Sequence, residues 1–196
     1  MTTKLTDGIA QRRGALAPLL RDPSPEVRTA AATALERIEN NASLVEVMES
    51  LQKGGVPAKI KAIYALGKIG GEQVLPPLIY CAARPEEGIK SAAIEVLGEL
   101  ADPKGLPVLI EQLKDDNTAI VAKVIAALGN FQDPRLVQLL VPFLNRNDGL
   151  LDAEAALSLG KMGVVSQQGK LIELLSSPHA KTREAAATAL GTLPVS

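Results

Sequence analysis

The chain has 196 residues, of which 46% are apolar and 22% charged, and its formal net charge is -1. That balance belongs to a folded domain and offers no bulk attraction to nucleic acid or to an anionic membrane. The single cysteine, Cys81, excludes an internal disulfide, no apolar run nears the ~18 residues of a membrane span, and MTTKLTDGIAQRRGAL lacks the build of a secretory signal, so the cytoplasm is the expected location.

Trp is absent and Tyr and Phe number two each, so the core must be built from Ala, Leu, Ile and Val, which suits closely stacked helices. In chain order, the first turn signal is RDPSP at 21–25, where Asp or Ser can cap a helix and Pro fits its first turn. Behind it Val27, Ala31, Ala34, Leu35 and Ile38 follow steps of 4, 3, 1 and 3, the stripe of an amphipathic helix. Within it lies AAATAL, at residues 30–35, and the same six letters return at 185–190, which is 155 residues or five times 31 further on. Steps of 31 from Leu35 land on Leu66, Leu97, Leu128, Leu159 and Leu190. The next residue is Glu36 in the first unit and then Gly67, Gly98, Gly129, Gly160 and Gly191. A period of this length is the mark of a solenoid, whose units cannot bury their apolar faces alone.

The remaining turns keep the register: KGGVP at 53–57, ARPEE at 83–87, KDDNT at 114–118, NRNDG at 145–149 and SSPHA at 176–180. The fourth unit repeats the second-helix stripe as Ile120, Val124, Ala127, Leu128 and Phe131, and its first helix carries Leu106, Leu109, Ile110 and Leu113. Between units, ADPKG and QDPRL place Asp102 and Asp133 as N-caps ahead of Pro, and Gly70 and Gly163 stand where a left-handed helix cap is expected. The glycine column lies in the last turn of the second helix, where each glycine costs about 1 kcal/mol of helix propensity. Close approach of the next unit is the expected compensation. No segment alternates as a strand does. The pattern predicts a single all-α domain over 1–196, a right-handed α-α superhelix of six 31-residue helical-hairpin repeats at about 7–40, 41–71, 72–102, 103–133, 134–164 and 165–196.

DPSPEVRTAAATALERI and ADPKGLPVLIEQLKDDNTAIVAKVIAALG resemble HEAT-like repeats of the short type first catalogued in phycobilisome lyases, from about Asp7 to Leu193. The family's Val-Arg pair stands here as Val27–Arg28, and its basic position recurs as Lys59, Lys90 and Arg183 but not at Val121 or Asp152. The resemblance implies an armadillo-like α-solenoid in which this basic residue bonds to the carboxylates and carbonyls of the inter-helix turn, with weaker ties in the fourth and fifth turns. It also implies, as an alternative to a non-catalytic protein-interaction scaffold, a lyase-type or chaperone-like subunit acting on a bilin-carrying or similar protein.

Candidates for chemistry are few. His179, the only histidine, sits in the last turn as a cap or a solvent-facing residue, and without His-Glu pairs on several helices the chain cannot build the iron site of HEAT-like hydroxylases. Cys81 shares a column with Leu19, Phe143 and Leu174 and reads as a buried, inert thiol. There is no phosphate-binding glycine loop and no continuous basic groove, so no catalytic residue, metal or cofactor is expected, and neither nucleic acid nor membrane as a partner.

A protein partner is expected, on the concave face that second helices line in such solenoids. With Val27 at 0° and a 3.6-residue repeat, the columns of Thr29, Thr33 and Arg37 fall at roughly 200°, 240° and 280°, away from the core. Across the middle units these columns give Ile60, Tyr64 and Lys68, then Ala122, Ala126 and Asn130, then Ala153, Leu157 and Lys161, with Ser91, Glu95 and Glu99 between. An apolar set with a polar rim reads as a binding groove, exposed in every repeat. REAAATALGTL in the sixth unit has no polar cap, so the chain is expected to be a monomer or a weak homodimer through that unit.

Overall fold

The computed structural model describes residues 2–194, and among these the side chains of all but residues 2–7, 40 and 41. The described residues contain helices and no strand. Where the repeats predict one domain, the chain divides into two compact units, Met1–Ile69 and Gly70–Ser196.

The first unit holds α1 (Thr2–Leu16), α2 (Pro25–Lys53) and α3 (Val56–Ile69). RDPSP works as its sequence suggests: Pro25 opens α2, and the Ser24 hydroxyl accepts the N–H of Val27. The break expected at 40/41 is not there, because α2 runs through it. Later boundaries carry Gly-Gly, Asp-Pro or Gly, whereas ERIENNASL offers no glycine or proline to stop a helix, and Glu36 replaces the column glycine. The core of this unit is thin. Ala31, Ala62, Ile63 and Leu66 are buried, but Leu35 is only half-buried.

The second unit carries four helical pairs in the expected register. They are α4 (Leu75–Ala82) with α5 (Glu87–Leu100), α6 (Leu106–Gln112) with α7 (Thr118–Leu128), α8 (Arg135–Leu140) with α9 (Leu151–Lys161), and α10 (Gln168–Leu174) with α11 (Ala180–Thr192). The second helices pack side by side in the order α5, α7, α9, α11, and each also packs on the first helix of its own pair. The fourth-unit stripe Ile120, Val124, Ala127, Leu128 and Phe131 is wholly buried, as are Leu97 and Leu159. Gly70 and Gly163 take φ of 65° and 66°, the left-handed caps expected of them. Asp102 accepts the N–H of Lys104 at 2.9 Å, Asp133 that of Arg135 at 3.0 Å, and Asn117 that of Ala119 at 2.9 Å.

The glycine column sets the spacing between repeats. A Cβ on Gly98 would lie 2.6 Å from the Ala127 side chain, one on Gly129 2.6 Å from Ser158, and one on Gly160 2.6 Å from the Ala189 backbone. Ser158 adds a bond from its Oγ to the Ile125 carbonyl at 2.9 Å, and the Asn130 side-chain amide reaches the Gly98 carbonyl at 3.2 Å.

The basic column ties the turns. Arg28 donates to the carbonyls of Asp22 and Pro23, at 2.7 and 3.0 Å, and Arg183 repeats this on Ser177 and Pro178, at 2.7 and 3.1 Å. Lys90 instead reaches into the next turn and pairs with Asp115. The fourth and fifth turns, expected to be weakly tied, therefore have other ties. Lys90 holds the fourth, while in the fifth Asp148 accepts the N–H groups of Leu150 and Leu151, and the His179 Nε2–H meets the Asn147 carbonyl at 3.1 Å.

Leu97 and Leu128 are fully buried, so truncating either to Ala should cost about 2–5 kcal/mol. Leu190, half-buried in the last pair, should cost less, as denaturant melts will show. The hydrogen-bonded Lys90 ammonium and then the Asn117 N–H hold the Asp115 carboxyl below its ordinary 3.8. A carboxylate depressed on folding contributes stability above its unfolded pKa and loses it as pH falls through the folded one. Lys90→Met should therefore melt below the wild type at pH 7, with the gap narrowing as pH drops below 3.8.

Candidate second-helix binding face

The nine residues expected to form one groove fall into two sets. Ile60, Tyr64 and Lys68 stand on α3 of the first unit, and Ala122, Ala126, Asn130, Ala153, Leu157 and Lys161 lie on or just after α7 and α9 of the second. On α3, Tyr64 and Lys68 are exposed and Ile60 is half-buried.

In the second unit the outward column nearest the neighbouring helices is not exposed. Ala122 and Ala153 retain only 6% and 7% of their surface, which corrects the expectation for both. The glycine contacts bring adjacent second helices so close that a methyl group on a helix flank is covered from the side. Asn130 is exposed, yet its amide is engaged with the Gly98 carbonyl, which gives it a structural task. The expected apolar surface thus narrows to Ala126 and Leu157, both half-buried, with Lys161 exposed beside them.

Charged residues outside the three chosen columns complete this face. Lys123 on α7 pairs with Glu95 on α5 at 3.0 Å. Glu154 on α9 is half-buried, and burial raises its carboxyl above the ordinary value against the pull of Lys161, Lys181 and Lys123. None of these lysines lies within salt-bridge distance of Glu154 among the described residues, so the carboxylate is attracted by three cations and clasped by none. The signal for these residues was present in the period. Lys123 and Glu154 share the column of Ala30, and Lys181 that of Glu26, at roughly 300° and 260° on the same 3.6-residue wheel. Both columns lie beside or between those chosen, but neither keeps one kind of residue: the first reads Ala30, Lys61, Ala92, Lys123, Glu154 and Ala185, the second Glu26, Pro57, Gly88, Ala119, Leu150 and Lys181.

Features with catalytic potential are committed elsewhere. Cys81 is 4% exposed. The His179 ring lies on Gly149, whose φ of 76° brings the backbone against it. Asp152, at the position where the basic residue is missing, is fully buried. Its Oδ1 accepts the Thr182 hydroxyl at 3.1 Å, and its Oδ2 has no hydrogen-bond partner. No group of three or more His, Cys, Asp and Glu able to hold a metal occurs among the described residues, and no helix there is long and apolar enough to cross a membrane.

The family model for HEAT repeats in tandem matches residues 51–126, 75–160 and 106–191, and a single-repeat HEAT model matches 14–41. None of the curated proteins matches the sequence. Among solved structures, the chain is similar to the Escherichia coli protein YibA, at 15% identity and a TM-score of 0.62, over 100% of this chain and 71% of that one. It is similar to the complex of CpcE and CpcF of phycocyanin lyase from Nostoc sp. PCC7120, at 24% identity and a TM-score of 0.58, over 91% and 76%. It is similar as well to an engineered protein, at 18% identity and a TM-score of 0.57, over 92% and 95%. At these identities the solved structures speak for the α-solenoid fold alone, whereas the tandem model covers most of the chain. The 31-residue leucine-glycine register and the paired helices built on it are those of the HEAT repeat family, to which this chain belongs.

Proposed function

We propose that the protein is a non-catalytic interaction module that binds a partner protein on the second-helix face of its second unit, around Leu157. The observation that carries this reading is Glu154. A carboxylate kept half out of water, with its pKa raised by burial and without an ion-pair partner, lowers stability and returns nothing within the chain. A donor from a bound partner would relieve it, and Leu157 and Ala126 supply the apolar contact beside it. Lys161 and Lys181 form the polar rim. HEAT-type solenoids offer such stacked-helix surfaces to other proteins, which favours a scaffold over an enzyme.

Leu157→Glu should melt within about 1 kcal/mol of the wild type, because the side chain is not core. Affinity capture with quantitative mass spectrometry should then show the wild type's partner lost by Leu157→Glu and kept by Tyr80→Ala, a control on the exposed side of α4. Equal capture by both variants would remove the binding site from this face. A raised carboxyl pKa contributes stability that is complete below the unfolded pKa, here 4.5, and is lost as pH rises through the folded one. Glu154→Gln should thus match the wild type's melting midpoint at low pH and exceed it at pH 7. A lower midpoint at pH 7 would show that the carboxylate stabilises the free protein.

A further inference from the structure

The unbroken α2 takes the place of two helices of the register and leaves both halves partly uncovered. Leu35 is half-buried where Leu66, Leu97, Leu128 and Leu159 are buried. Leu44, Val47 and Leu51 are half-buried where Leu75, Leu78 and Ala82, at the same register, are buried. On α3, Ala65 is half-buried, although Ala127, Ser158 and Ala189 at its register are sealed, each by the glycine of the second helix before it. The residue that would meet Ala65 in this way is Glu36, which is exposed. α2 has 29 residues and α3 has 14, so after the reversal at Gly54–Gly55 α3 reaches along only the C-terminal half of α2.

The letters within α2 also carry the start of a second helix. Ser43 and Glu46 have the spacing of a capping box, with Leu44 as the first helical residue. That is the register at which α4, α6 and α10 begin, at Leu75, Leu106 and Gln168. No stop matches this start, because the register that holds Gly70, Ala101 and Gly163 at positive φ holds Glu39 here.

We infer that α2 is a two-state element. In one state it is unbroken. In the other it breaks ahead of Ser43, and residues 25–38 lie along α3 as α7 lies along α9. The unbroken helix keeps its backbone hydrogen bonds but leaves Leu35, Leu44 and Ala65 partly in water. The broken one covers them, but it sets Glu36 on Ala65 at a contact where the inner repeats have no room for a Cβ. Glu36 therefore holds the two states in balance, and whatever binds one of them better draws the first unit into it.

Pulsed electron resonance tests this on the full chain, with spin labels at Thr29→Cys and Gln52→Cys in a Cys81→Ala background. Both labelled positions are exposed. Across an unbroken helix they stand about 35 Å apart, and across the break less than about 20 Å, within two helix diameters. The labelled chain should show both distances. Glu36→Gly frees the contact with Ala65 and should raise the share of the short distance at least twofold. Ser43→Ala removes the capping box and should lower that share. One distance common to all three proteins, shares that neither substitution moves, or shares that move the other way would each overturn the inference.

Discussion

The contact between a column glycine and the small residue of the next second helix governs the second unit. It occurs three times, at Gly98 on Ala127, Gly129 on Ser158 and Gly160 on Ala189, each time with no room for a Cβ. Glycine weakens a helix, so its recurrence at one register position needs a return, and the return is distance. With backbones in near contact, the leucine before each glycine is sealed, and a core almost free of aromatics becomes dense enough to hold. Close spacing also decides what can be read from outside, since it covers Ala122 and Ala153 and leaves Ala126, Leu157 and the charged residues as the accessible face.

Without that contact the first unit packs more loosely. Its first register carries Glu36 rather than glycine, α2 passes through the expected boundary, and Leu35 is half-buried while Leu66, Leu97 and Leu128 are buried. The fifth repeat shows a different substitution within an intact frame. Asp152 replaces the basic residue, and Thr182 replaces the aliphatic residue that other units hold at its position. The two are buried together and bonded. The Asp152 carboxylate is thus engaged by the Thr182 hydroxyl, and the turn is held by Asp148 and His179 instead.

Most of the second unit was legible because its signals are backbone requirements. Asp before Pro, Gly70 and Gly163 at positive φ, and the leucine-glycine register each have one conformational meaning, and each appears where the letters place it. The binding face was legible only in part. Angles on a helical wheel state where a side chain leaves its own helix, but not how near the neighbour stands, so Ala122 and Ala153 were placed outside when the glycines had drawn the next helix over them. Glu154 escapes such a reading for a related reason: its column can be named from the period, but its half-burial cannot be read from a single helix. The period alone does not end a helix: at 40/41 the letters hold no helix-stopping residue, and α2 continues through.

If glycine contact sets the repeat spacing, the same methyl group must have opposite effects at two positions of one register. The decisive measurement is a pair of denaturant melts on Gly129→Ala and Gly191→Ala at a concentration where the chain is monomeric. Gly129→Ala should be destabilised, because its Cβ would have to displace Ser158 and the backbone behind it. Gly191→Ala should be stabilised by up to about 1 kcal/mol, the helix-propensity difference with no neighbour to resist it. Stabilisation at both positions would show that the inner repeats tolerate wider spacing, and would contradict the account.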